Sequence, residues 1–124
     1  MADVTLDELR RRLGEDGLVL LDVRTSQEFE GTAHNHCDPR HGHIPGARNL
    51  ALESLLESRS AVEVRALVGL AEGTELVAYC HVGTRSAYAV DVLRAAGYDA
   101  RNYLGSWHEW SRDLSLPAEG GVER

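Results

Sequence analysis

Apolar and polar positions alternate between two periods along the chain, and the switches mark its elements. Thr5 to Leu13 (TLDELRRRL) places Leu6, Leu9 and Leu13 on one helical face, with Thr5 as N-cap and Glu8 completing a capping box. Gly14 and Gly17 bracket the stop. Leu18 to Val23 (LVLLDV) is a continuous apolar run interrupted only by Asp22, the pattern of a strand buried on both faces. From Arg24 to Gly46 the periodicity lapses, apart from one helical turn at SQEFEG. A loop this long in a small domain is functional or packed on itself. Ala47 to Leu50 gives a short strand, Glu53–Glu57 and Ala61–Leu70 two helical stretches, and Glu75 to Cys80 (ELVAYC) a second buried strand. A helix then starts near Arg85, with Ala87, Val90, Leu93 and Ala96 at helical spacing and Gly97 as its stop. ARNYL reads as a last short strand and SWHEWSRDL as a terminal helix capped by Ser106. Trp107 and Trp110 share a face of that helix, as core or pocket wall.

Strands alternating with helices predict an α/β domain with a mostly parallel sheet covered on both faces. At 124 residues the chain is expected to be one domain over residues 1–116, with 117–124 as a solvated tail. Its 43% hydrophobic and 27% charged fractions are those of an ordinary globular protein with enough core to need no disulfide. The net charge of −7, without a block of like charge, disfavours a nucleic-acid partner. No apolar run approaches membrane-spanning length, so no membrane partner is expected either. Two distant cysteines and no signal peptide predict a reducing, cytoplasmic location where a free thiol persists.

Ligands in such sheets collect beyond the carboxyl ends of strands. Cys80 stands at such an end, and so do Asp22 and Arg24. One reading of Cys80 is a small buried hydrophobe. Its context argues for chemistry instead. His81, Val82, Gly83, Thr84, Arg85 and Ser86 form a short loop running into a helix, with Gly83 supplying the freedom a concave turn needs. Inward amides, the positive end of the helix and the Arg85 cation all favour a thiolate.

CHVGTRS (Cys80 to Ser86) resembles the C-x-x-G-x-R-[ST] active-site loop of the rhodanese sulfurtransferases. LLDVRTSQEFEG resembles that family's D-V-R-x-x-x-E-[FY] segment, GHIPGARNL its G-H-I-P-G-A-x-N motif, and YLGSWHEW with Leu116 and Pro117 the end of its catalytic half. Four motifs in the family's order are specific where one is not. The resemblance implies a rhodanese fold: α/β, with a central, mostly parallel five-stranded sheet flanked by helices on both faces. It implies sulfur transfer through a Cys80 persulfide, from thiosulfate or a similar small sulfur anion to cyanide, a thiol or a protein acceptor, without a cofactor. A relay module charged by a protein partner is the alternative. Cysteine phosphatases of related fold, by contrast, look like C-x(5)-R, and here only four residues separate Cys80 from Arg85. Mercaptopyruvate enzymes resemble C-G-S-G-[VT]-[TS], which this loop does not match.

Some residues admit two readings. Arg85 either contacts substrate or forms a structural ion pair. Glu28 stands where vertebrate mitochondrial thiosulfate sulfurtransferases carry a substrate-contacting arginine. Asp22 and Arg24 read as a hydrogen-bonded pair fixing the strand end and the long loop, and His43 as a packed histidine. His34, His36, Cys37, His41 and His43 crowd ten residues but fit no common metal-finger spacing, so no metal site is expected there. Cys37 is also a candidate resolving thiol.

Overall fold

In a computed structural model, which describes residues 2–33 and 35–120, the elements follow in the order α1 (Leu6–Arg12), β1 (Leu18–Asp22), α2 (Ser26–Glu30), β2 (Arg48–Asn49), α3 (Leu52–Glu57), α4 (Ala61–Val68), β3 (Glu75–Tyr79), α5 (Thr84–Ala95), β4 (Asp99–Asn102) and α6 (Ser106–Trp110). All strand pairs are parallel, in the order β2-β1-β3-β4. The sheet therefore has four strands among the described residues, not five. At the edge beside β4, Val4 makes one parallel bridge to Tyr103 and goes no further, because Thr5 already caps α1.

The pleat sorts the core into two layers. Leu21, Leu76, Ala78 and Ala100 face α3, α4 and α5, where Leu55, Val64, Val90 and Leu93 close the layer. Leu20, Val77 and Tyr79 face the other way, onto Leu9 of α1 and Trp107 and Trp110 of α6. Both layers are needed, since β1 and β3 sit mid-sheet with neighbours on either side. The chain winds outward from β1 to β2, then returns across it to β3. The carboxyl ends of β1 and β3 thus flank the switch point, where an open α/β sheet leaves a crevice.

Local details differ from the pattern reading in places. Thr5 accepts from the Glu8 amide, but the Glu8 carboxylate turns to Arg101 (2.6 and 2.9 Å) instead of closing a box. The reciprocal box forms at α2, between Thr25 and Glu28. On α5 the buried face carries Ser86, Ala89, Val90 and Leu93, while Ala87 is exposed. Ser106 is the first residue of α6, not its cap: Gly105 takes that place and the helix has no side-chain cap. The long loop packs onto the body through Arg40, whose guanidinium donates to the carbonyls of Trp110, Ser111, Asp113 and Leu116 at 2.7–3.1 Å. Residues 117–119, expected as solvated tail, have exposed side chains but bonded backbones. Pro117 O accepts from the Trp110 indole at 2.7 Å, and Glu119 bridges His43 in antiparallel fashion. Residues 121–124 lie outside the described residues.

Candidate active site

Tyr79 ends β3 in the middle of the sheet, so Cys80 emerges at the crevice with only 1% of its surface exposed. The strand-end hydrophobe reading accounts for that burial but not for the sulfur's partners. The Gly83 amide donates to Cys80 Sγ at 3.1 Å, the Ser86 hydroxyl lies 3.4 Å from it, and the Ser106 hydroxyl 4.0 Å. Burial pushes the thiol pKa up. The Ser86 hydroxyl and the amides of Ser86, Gly83 and Val82 outweigh it together, and the net shift is down from the ordinary value.

The loop takes this shape because its carbonyls are claimed from outside. Trp107 N–H donates to Cys80 O and His108 N–H to His81 O, both at 2.9 Å, which turns the following amides inward. Gly83 sits at φ 88°, and its carbonyl accepts from the Asn102 amide group at 3.1 Å. A Cβ there would stand 2.4 Å from Leu104 O. Behind the sulfur, Ser106 Oγ accepts from Cys80 N at 3.0 Å and donates to Tyr103 O at 2.9 Å, held at the left-handed φ of 55°. The sequence offers Ser106 only as a helix cap and passes over Asn102, because their partners in the loop are set by the placement of the last helix and the far strand. The signal for both is weak: Ser106 lies within YLGSWHEW and Asn102 directly precedes it.

The six loop residues divide. Val82, Gly83 and Ser86 present donors to the sulfur, and Thr84 opens α5. The His81 side chain turns away to Asp38 (2.9 Å). Arg85 forms a bidentate pair with Glu28 at 2.8 and 3.0 Å, the ion-pair alternative of its two readings. Burial pushes the Glu28 carboxyl up. Arg85, the Thr25 amide and Arg24 more than reverse this and bring it down to about 2. Asp22 and Arg24 form a buried pair (2.7 Å), and Arg24 also donates to Gly42 O at 2.6 Å, joining the β1 end to the long loop. The Arg24 guanidinium lies between the rings of Tyr79 and Trp107, 5.8 and 5.2 Å from their centroids. His43 stacks on Phe29 at 3.7 Å and its Nδ1 bonds Phe29 O at 2.7 Å, a packed and satisfied histidine.

A cleft of about 670 Å³ adjoins this loop, lined among others by Arg24, Glu28, Asn35, Cys37, Asp38 and Trp107. Glu28 and Trp107 are shared between cleft and loop, through Arg85 and the Cys80 carbonyl, while Cys80 itself does not line the cleft. No helix among the described residues is long and apolar enough to cross a membrane.

A parallel sheet whose switch point presents a cysteine in an amide-lined loop defines a class, and comparison with known proteins agrees. The Rhodanese-like domain model matches residues 5–113, and the chain belongs to that family. It is 37% identical over 119 residues to the "Thiosulfate sulfurtransferase" of Corynebacterium glutamicum, covering 85% of this chain and 39% of that protein. It is 35% identical over 119 residues to the "Sulfur carrier protein TtuD" of Thermus thermophilus, covering 84% and 42%. Among solved structures, a "Probable Thiosulfate Sulfurtransferase" superposes with TM-score 0.80 at 47% identity, over 94% of this chain and 47% of that one. The chain thus spans less than half the length of these relatives.

Proposed function

We propose that this domain transfers sulfane sulfur through a persulfide on Cys80. The Cys80 thiolate attacks the outer sulfur of thiosulfate or a similar donor. The donor S–S bond breaks and sulfite leaves with the electron pair. An acceptor nucleophile then attacks the terminal sulfur, and the electrons of the Cys–S–S bond return to Cys80 as thiolate. Cyanide as acceptor leaves as thiocyanate. The observation that carries this reading is the set of donors on one sulfur: the Gly83 amide at 3.1 Å and the Ser86 hydroxyl at 3.4 Å, with further amides behind them. Such donors favour an anionic thiolate and an anionic persulfide alike, so no separate general base is needed. The relatives named thiosulfate sulfurtransferase support the same chemistry. Both cysteines are free, and free thiols persist in a reducing compartment such as the cytoplasm.

A carrier reading has its own support. Arg85 and Arg24 are each paired with a carboxylate, which leaves less positive charge for a small dianionic donor. Val82 and Leu104, 52% and 54% exposed, flank the loop with apolar surface suited to a protein partner. Incubation with thiosulfate and cyanide separates the two. Steady thiocyanate production is the expected result for the enzyme, while charging of Cys80 without turnover selects the carrier. Cys80→Ser abolishes either activity.

A further inference from the structure

Beside the sulfur loop, four side chains from three parts of the chain converge. Cys37 and Asp38 come from the long loop, His81 follows Cys80, and His108 projects from α6. One ligand atom from each lies within 4.8 Å of all the others. His81 Nε2 is 2.9 Å from Asp38 Oδ2, Cys37 Sγ is 4.0 Å from His81 Nε2, and His108 Nδ1 is 3.9 Å from Asp38 Oδ1. We propose that Cys37, Asp38, His81 and His108 bind a borderline divalent cation of the zinc class at the rim of the cleft.

The donor set is one sulfur, one carboxylate oxygen and two imidazole nitrogens, a combination zinc accepts in four-coordinate sites. Tetrahedral metal–ligand bonds of about 2.0–2.3 Å put neighbouring ligand atoms about 3.3–3.8 Å apart, so the site forms when Cys37 and His108 draw in slightly and the His81–Asp38 pair opens from 2.9 Å, all by small side-chain movements. Thiolate and carboxylate together balance the charge of a dication. The Cys37 thiol now faces Asn35 Oδ1 at 2.8 Å, and its proton is the one a metal displaces. Arg112 donates to Asp38 Oδ1 at 3.1 Å and also to the Cys37 carbonyl, which orients both loop ligands from outside. An ion-pair cluster around Asp38 would need His81 and Arg112 alone. It leaves unexplained the thiol set against the same imidazole, and His108 Nδ1, which is buried and makes no hydrogen bond among the described residues. Of the histidines and cysteines crowded in the loop sequence, only Cys37 among the described residues takes part. His34 lies outside the described residues, and His43 is spent on Phe29.

The test uses the full chain, stripped with a chelator and titrated with cobalt(II), then with zinc(II). One cobalt per chain is expected, with the intense ligand-field bands of a tetrahedral site and a thiolate charge-transfer band, both removed by zinc. Cys37→Ser abolishes the charge-transfer band and weakens zinc binding at least tenfold, and His108→Ala weakens it by a similar factor. Cys37 is exposed and the His108 side chain 45% exposed, so both changes leave the core intact. Cys80→Ser leaves the spectrum unchanged, which separates this site from the sulfur chemistry. A six-coordinate cobalt spectrum, a charge-transfer band that survives Cys37→Ser or disappears with Cys80→Ser, or no zinc uptake at micromolar metal overturns the proposal.

Discussion

The Gly83 amide donates to Cys80 Sγ at 3.1 Å, across a three-residue turn that only a left-handed residue closes. Two facts make glycine necessary there: φ is 88°, and a Cβ would meet Leu104 O at 2.4 Å. Gly83→Ala is therefore expected to displace the amide and lower sulfur transfer about a hundredfold, the loss typical of one preorganised donor to a reacting anion. Initial rates with thiosulfate and cyanide check this. A rate within twofold of wild type would mean that the loop tolerates the Cβ.

Ser86→Ala removes the hydroxyl that is the strongest of the influences lowering the Cys80 thiol. The thiolate fraction at a given pH falls when that pKa rises, so the pH–rate profile of alkylation moves to higher pH. At pH 7 the rate is expected to drop about fivefold, the worth of one hydrogen bond of about 1 kcal/mol. Iodoacetamide kinetics on a Cys37→Ser background isolate Cys80. A profile that stays in place removes the hydroxyl from the account.

Glu28 closes the capping box of α2 and holds Arg85 at 2.8 Å. Glutamine can still cap but carries no charge, so Glu28→Gln frees the Arg85 cation. The KM for thiosulfate is expected to fall about threefold to tenfold, as about 1 kcal/mol for a partly exposed pair suggests. An unchanged or raised KM separates Arg85 from donor binding.

The same substitution carries a pH signature. The Glu28 carboxyl is held at about 2, below its ordinary 4.5, so its contribution to stability is present above pH 4.5 and is lost as pH falls toward 2. Denaturant melts of wild type and Glu28→Gln should therefore converge through that window. Curves that stay parallel from pH 6 to pH 3 contradict the pairing.

The parts legible in the sequence were those written locally. LVLLD and ELVAY are buried strands by composition alone, and both are observed at Leu18–Asp22 and Glu75–Tyr79. The Cys80–Gly83–Ser86 turn is equally local, because a strand, a glycine and a helix start fix its path. Contacts between distant segments were not legible. Glu28 with Arg85, Ser106 behind Cys80, and Cys37 with His108 are each brought together by sheet order. Ser106 misled because serine before a helix reads as a cap. Here its hydroxyl is committed to Cys80 N and Tyr103 O, and the helix forms without it. The fifth strand came from family likeness and is absent among the described residues, where β4 is flanked by a single bridge from Val4.

The buried Ser106 hydroxyl also offers a stability test. Ser106→Ala leaves the Cys80 amide without its acceptor and is expected to destabilise the domain by about 1–3 kcal/mol in urea melts. No change in the unfolding midpoint would show that the amide finds another partner.

The central claim is that Cys80 is the atom on which sulfur rides. Intact mass spectrometry of the chain after thiosulfate treatment, followed by peptide mapping, tests it most directly. One added sulfur atom on the peptide containing Cys80, lost on adding cyanide and absent from Cys80→Ser, is the predicted result. An unmodified wild-type chain, or the same addition in Cys80→Ser, would contradict it.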